Sequence, residues 1–216
     1  MVLMIFVNIG QLTENMVSRN IYLARLKTPN LANLIGSTSG VPAMSKWGLY
    51  NYCNEWNPLT GANVKRQCAD HHFIQEFDPI SALGANLPQD KISALESRST
   101  TIGNLHEKSK AANYLLFVGT ILVGVAFIVT CLIHMSALIV AAFFAFIGFA
   151  LLLCGAAIWT YMMHRVKNLG LPGLDFDYGN ALWLSWASVA CSLFAIPALG
   201  GGSAASRKRY SSGEVY

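Results

Sequence analysis

The sequence predicts an all-α transmembrane chain that carries a small β-sheet outside the membrane, stapled by one disulfide. Three observations support this. Three stretches without a charged residue are long enough to cross a bilayer, and two cysteines stand alone in a long polar loop. The 216 residues are also 54% hydrophobic and only 12% charged, with a mean hydropathy of +0.43, against about 25% charged in a soluble domain. The length fits one domain. A net charge of +4, with no basic stripe interleaved with aromatics, offers no nucleic-acid surface.

Residues 1–12 (MVLMIFVNIGQL) are apolar but too short to span, and no basic residue precedes them as in a signal peptide. They are expected to be the outer end of a first transmembrane helix cut short by a truncated gene model or a missed exon. The alternative is a short hydrophobic start lying against the bundle. Residues 13–113 form the large loop. Its first part, 13–46, is mixed and polar, with Gly36, Ser37, Ser39, Gly40 and Pro42 marking a flexible stretch. The run Trp47-Gly48-Leu49-Tyr50-Asn51-Tyr52-Cys53 is rich in aromatics that suit strands, so 46–53 is expected as one packed strand. Asn57-Pro58 and Thr60-Gly61 signal a turn, after which 64–68 returns as the partner strand.

Cys53 and Cys68 are the only cysteines outside the apolar segments, and in a membrane-spanning chain such a pair points to a disulfide on the non-cytosolic side. Phe73, Ile74 and Phe77, ahead of Asp78-Pro79, supply another short strand or a membrane-facing edge. From Asp90, a cap after Pro88, the residues Ile92, Leu95, Ile102 and Leu105 recur at helical spacing. That helix leads into the next span, with Gly103 a weak point.

Residues 114–133, 137–159 and 180–199 are the complete spans, since a helix of about 20 residues crosses the roughly 30 Å of hydrocarbon. Between the last two lies a second loop, 160–178, whose Arg165 and Lys167 offset Asp175 and Asp177. Arg207, Lys208 and Arg209 in the tail, 200–216, place that tail in the cytosol by the positive-inside rule. Counting back, both loops lie outside, the side that the cysteine pair indicates independently. The chain is therefore expected as a multi-pass membrane protein whose loops lie outside the cell or in a lumen. Ser211 and Ser212 beside the basic run would let phosphorylation tune a lipid contact, although setting topology is the plainer role of that run.

No catalytic residue, cofactor or metal is expected. Asp70-His71-His72 is followed by Phe73, so the thiol of an Asp-His-His-Cys acyltransferase is missing. A zinc site on Cys68, His71 and His72 lacks a fourth ligand, and Cys68 is already claimed. His134 and His164 fall at helix ends, as interfacial residues. Trp159, Tyr161, Tyr178 and Trp183 cluster at span ends, where amphipathic rings settle among headgroups. The spans hold no Asp, Glu, Lys or Arg, which disfavours a channel or transporter. Small residues four apart (Ala141 and Ala145, Ala181 and Ser185, Ser188 and Ser192) suit close helix packing, within one bundle or between copies.

Several fragments occur in a telling order: Phe6-Val7-Asn8-Ile9, Ile21-Tyr22-Leu23, Gly48-Leu49-Tyr50-Asn51-Tyr52-Cys53, Cys68 and Phe77-Asp78-Pro79-Ile80. After them come Tyr178-Gly179-Asn180-Ala181 and Leu184-Ser185-Trp186-Ala187. This order resembles the fungal PalI family, which includes the Sur-seven proteins of eisosomes, and is distantly similar to claudins. Trp47, then Gly48-Leu49-Tyr50, Cys53 and Cys68 follow the claudin signature with Tyr50 in place of its second Trp. The resemblance covers nearly the whole chain, and the order of its short motifs carries the specificity. It implies a claudin-like four-helix bundle with an extracellular sheet. It also implies a non-enzymatic plasma-membrane role in cortical domain organisation, endocytosis and cell-wall integrity, or in ambient-pH signalling as a receptor's accessory. Membrane lipids, further copies of the chain, other membrane proteins and cell-wall or signalling proteins are the expected partners. The short tail favours the domain-organising role.

Overall fold

The structure is a computed structural model that describes residues 2–10, 20–28, 42–56, 65–70, 73, 75–79, 82, 99–131, 135–168 and 174–211. Among the described residues four helices and five strands follow one another: α1 (Val2–Ile9), β1 (Ala24–Lys27), β2 (Met44–Trp47), β3 (Tyr52–Trp56), β4 (Lys65–Cys68), α2 (Ser99–Thr130), α3 (Met135–Asn168), β5 (Asp175–Tyr178) and α4 (Asn180–Ser211). The expected turn at 57–61, the Asp90 cap and His71, His72 and His134 lie outside the described residues.

Three helices are long and apolar enough to cross a membrane, over Leu105–Thr130, Leu138–Asn168 and Asn180–Ala198. Their outward faces carry Ile128, Phe143, Phe146 and Phe194, all exposed, as hydrocarbon contact permits. α3 stays helical nine residues past Trp159, so the first half of the expected second loop is helix. α2 and α3 make the most extensive contact. A Cβ on Gly119 would stand 3.2 Å from the Gly148 carbonyl, and one on Gly148 would stand 3.2 Å from the Gly119 carbonyl. Two backbones can approach so closely only where neither residue has a side chain. Ala141, Ala145, Ala181, Ser185 and Ser188 of the small-residue pairs are buried within the molecule. α1 is only eight residues, about 12 Å long. It lies against α4 and, to a lesser extent, α2, burying Met4 and Val7.

At one end of the helices the strands form a single antiparallel sheet in the order β4-β3-β2-β1-β5. The first four make a meander, and β5 joins from far along the chain. Register sorts the side chains by face. Ala24, Leu26, Trp47, Tyr52, Phe176 and Tyr178 share the face that closes onto the helices, where Ala24, Leu26, Trp47 and Phe176 are buried. The opposite face carries two rows, Asp177-Arg25-Lys46-Cys53-Cys68 and Asp175-Lys27-Met44-Glu55-Arg66.

Three expectations are corrected. The 46–53 run is not one strand but a hairpin, because Gly48 N–H donates to Asn51 C=O at 2.9 Å and Leu49-Tyr50 form its tip. The mixed, polar 13–46 part holds β1 and most of β2, the expected flexible stretch at 36–40 lies outside the described residues, and the second loop contributes β5. Trp159 is no headgroup anchor: it is 1% exposed and lies inside the core. Trp183 and Tyr161 do point outward. Phe73 is exposed and rests edge-on against Phe117 of α2, whereas Phe77 is buried and belongs to no strand.

Candidate functional site

The motif residues gather where the sheet meets the helices. Trp47 stacks on Tyr52 at 6.2 Å and meets Phe77 edge-on at 5.0 Å, and Phe77 meets Trp159 at 5.8 Å. This aromatic column runs from the sheet into α3, and such pairs contribute about 0.5–1.5 kcal/mol each beyond their buried area. Among the described residues most polar atoms around it are matched, but Trp47 Nε1 and Gln75 Oε1 are buried without a hydrogen-bond partner. Trp159 Nε1–H donates to Asn113 Oδ1 at 2.8 Å, and Asn113 Nδ2 donates to the Gln75 carbonyl at 2.8 Å. Phe77 N–H donates to Ser109 Oγ at 3.0 Å. The segment before Asp78-Pro79 is thereby pinned to α2 and α3. Pro79 is buried and Asp78 half-buried, and the Asp78 charge lies close enough to influence Tyr52.

The hairpin tip inserts into the same junction. Leu49 is fully buried and its carbonyl accepts from Gln75 N–H at 2.9 Å. Tyr50 Oη–H donates to Asn8 Oδ1 at 3.0 Å, and Asn8 Nδ2 donates to Thr120 Oγ1 at 3.1 Å. A polar thread thus joins hairpin, α1 and α2. Burial raises the Tyr50 phenol above its ordinary value; burial, then the Asp78 charge, raises Tyr52. Tyr50 thus stays protonated, as its donation to Asn8 requires. The other fragments of the resemblance close the second side of the joint. Asn180 Oδ1 accepts from Tyr22 N–H at 3.1 Å, Gly179 N–H donates to Leu23 C=O at 2.9 Å, and Ala181 N–H donates to Tyr22 C=O at 3.0 Å.

Cys53 and Cys68 are bonded, directly opposite each other on β3 and β4 with Cα atoms 3.9 Å apart. The bond from Ala69 N–H to Tyr52 C=O brackets them, which makes them a non-hydrogen-bonded pair. There the strands approach most closely. Around the staple the outward face is charged. Lys46 Nζ lies 3.0 Å from Glu55 Oε2, and Arg66 Nε lies 3.9 Å from Glu55 Oε1. Arg25 and Lys27 both reach Asp177 Oδ2 at 2.7 Å. Arg25 and Lys46 also stand over the Tyr22 ring.

Sequence reasoning found the junction residues but missed this charged face. The signal was present in the two-residue alternation of Arg25-Leu26-Lys27 and Asp175-Phe176-Asp177-Tyr178. No group of three or more His, Cys, Asp or Glu that could hold a metal occurs among the described residues. Arg207, Lys208 and Arg209 lie on the continuation of α4, away from the sheet.

Spanning helices capped by a disulfide-stapled sheet, which is sewn to them through buried aromatics, define an integral membrane protein with a folded domain outside the bilayer. A model of the SUR7/PalI family matches residues 1–196. The chain belongs to that family. No curated protein matches it.

Proposed function

We propose that this chain is a non-enzymatic plasma-membrane protein that organises cortical membrane domains of the eisosome kind, linked to endocytosis and cell-wall integrity. In this reading the helices form a claudin-like bundle, the sheet faces outward and the tail is cytosolic. The observation that carries it is the division of labour on the sheet. The family fragments are spent on the buried joint, while on the other face of the stapled sheet the partly exposed Arg25, Lys27 and Asp177 remain to meet a neighbour or the wall. The helices meanwhile keep a broad apolar surface for lipid sorting. A tagged copy imaged in living cells should occupy static cortical patches. Diffuse or endosomal signal would overturn the reading.

A second reading, an accessory of ambient-pH signalling, draws on one cluster. His106 Nε2 lies 2.7 Å from Glu76 Oε2 and Lys110 Nζ lies 2.9 Å from Glu76 Oε1, on the sheet side of α2. Endosomal signal that His106→Gln redistributes would favour this reading.

A further inference from the structure

At the sheet side of the helices, α2 and α3 bring two cations onto one aromatic ring. Lys108 Nζ of α2 stands 5.7 Å from the centre of the Tyr161 ring of α3, and the Arg165 guanidinium stands 5.6 Å from the same centre. Arg165 Nε–H also donates to Tyr161 Oη at 3.0 Å. The phenol thus fixes the guanidinium by one edge and leaves its Nη groups to donate elsewhere. Tyr161 is 48% exposed, and Lys108 and Arg165 are exposed with it. His164 and Asn168, on the same stripe of α3, bond each other at 3.0 Å and bring no carboxylate.

Among the described residues neither Lys108 nor Arg165 makes an ion pair, whereas Lys110, two residues on, is held by Glu76. Glu107 lines a separate pocket with Lys110 and Tyr114, on another side of α2. Two like charges gathered on one ring repel each other, and an anion seated between them removes that repulsion. The arrangement therefore suits an anion that accepts several hydrogen bonds, as a phosphate does.

Their height along the helices selects its source. Tyr114 of α2, Tyr161 of α3 and Trp183 of α4 are all exposed, and such rings mark the headgroup level. No charged residue occurs in 111–130 of α2 or 135–163 of α3. Arg165 lies beyond Tyr161 by about 6 Å of helix rise, and Lys108 beyond Tyr114 by about 9 Å. The headgroup layer is about 5–8 Å deep on each side of the hydrocarbon, and Lys108 reaches across to the Tyr161 ring. Both cations therefore sit at the depth of lipid phosphates. The other headgroup substituent is constrained too. A choline or ethanolamine ammonium adds a third positive charge to this pair, and an uncharged polyol does not.

We propose that Lys108, Tyr161 and Arg165 bind the phosphodiester of a lipid headgroup whose other substituent is an uncharged polyol, in the leaflet next to the sheet. The inference rests on the chain spanning a membrane, and neither on its cortical role nor on which way the sheet faces.

The test reconstitutes the full chain in phosphatidylcholine vesicles with a minor fraction of phosphatidylglycerol that carries a diazirine close to its acyl ester. A parallel sample carries the same diazirine on phosphatidylcholine. After irradiation, the glycerol lipid should label 157–168 several-fold more than the choline lipid does. Lys108→Gln with Arg165→Gln should bring the two lipids level. Lys110→Gln, which removes one charge from another side of the same helix, should leave the difference in place. Inorganic phosphate in excess should not reduce the labelling. Equal labelling of 157–168 by both lipids would overturn the proposal, as would a preference that survives the double replacement. Displacement by inorganic phosphate would overturn it as well, because the site would then take the free anion. Retention of the chain in vesicles through an alkaline wash reports spanning by itself, so a missing preference is distinguished from a failed insertion. The two-lipid comparison uses the unaltered chain, so it stands even if a variant fails to fold.

Discussion

Glu55 and Lys46 form an ion pair whose side chains are only 3% and 10% exposed, on a strand pair that local pattern would leave half-solvated. Neither charge could be buried alone. Glu55→Gln should therefore destabilise the sheet by about 3–5 kcal/mol, the cost of breaking a buried pair, whereas Lys46→Met with Glu55→Leu should recover most of it. Thermal unfolding of the purified chain in detergent would measure both. Asp177 makes a second, more exposed claim. The hydrogen bond from Lys27, then that from Arg25, lowers its carboxyl below the ordinary range, with burial opposing them. A depressed folded pKa contributes stability that is present at higher pH and lost as pH falls through that folded value. Amide-exchange protection at 24–27 should thus hold from neutrality to about pH 5 and weaken in stronger acid. In Asp177→Asn that acid limb should be absent.

Among the elements, β4 is the weakest by construction. It is an edge strand of four residues paired only with β3, and the disulfide compensates by closing a loop of about sixteen residues, worth roughly 3 kcal/mol in the chain-entropy model. Cys68→Ser should cost about that much. Amide exchange should show β4 losing protection while β1 and β2 keep theirs. The start of α4 offers a sharper test. A Cβ on Gly179 would lie 1.9 Å from the Tyr22 carbonyl oxygen, whereas one on Gly124 would meet nothing within 4 Å. Gly179→Ala should loosen the joint of β1, β5 and α4 and lower the melting temperature. Gly124→Ala should leave it unchanged or raise it, since Ala favours a helix over Gly by about 1 kcal/mol.

For the whole molecule, the sheet and the Arg207–Arg209 end of α4 lie at opposite ends of the spanning helices. They should therefore be accessible from opposite sides of the membrane. An epitope after Tyr216 should resist protease in intact spheroplasts, and one within 36–40 should not. The reverse pattern would invert the molecule in the membrane. The polar thread Tyr50–Asn8–Thr120 and the aromatic column to Trp159 join sheet and helices directly.

The sequence alone determined the spanning segments, the cysteine pair and the return of β4 onto β3. Each is written locally, as an uncharged run, an isolated residue type or a strand after a turn signal. Only the tertiary structure decided the rest. β1 pairs with β5 across about 150 residues, and no window along the chain contains both partners. Trp159 has the local signature of a headgroup anchor, yet Phe77 and Asn113 draw it inside. The run at Trp47–Cys53 looks like one strand because its aromatics suit a sheet. It folds as a hairpin because burying Leu49 and joining Tyr50 to Asn8 require the chain to turn there. The physical reason is common to all three. Burial and hydrogen-bond satisfaction belong to neighbours in space, and composition records only neighbours in sequence.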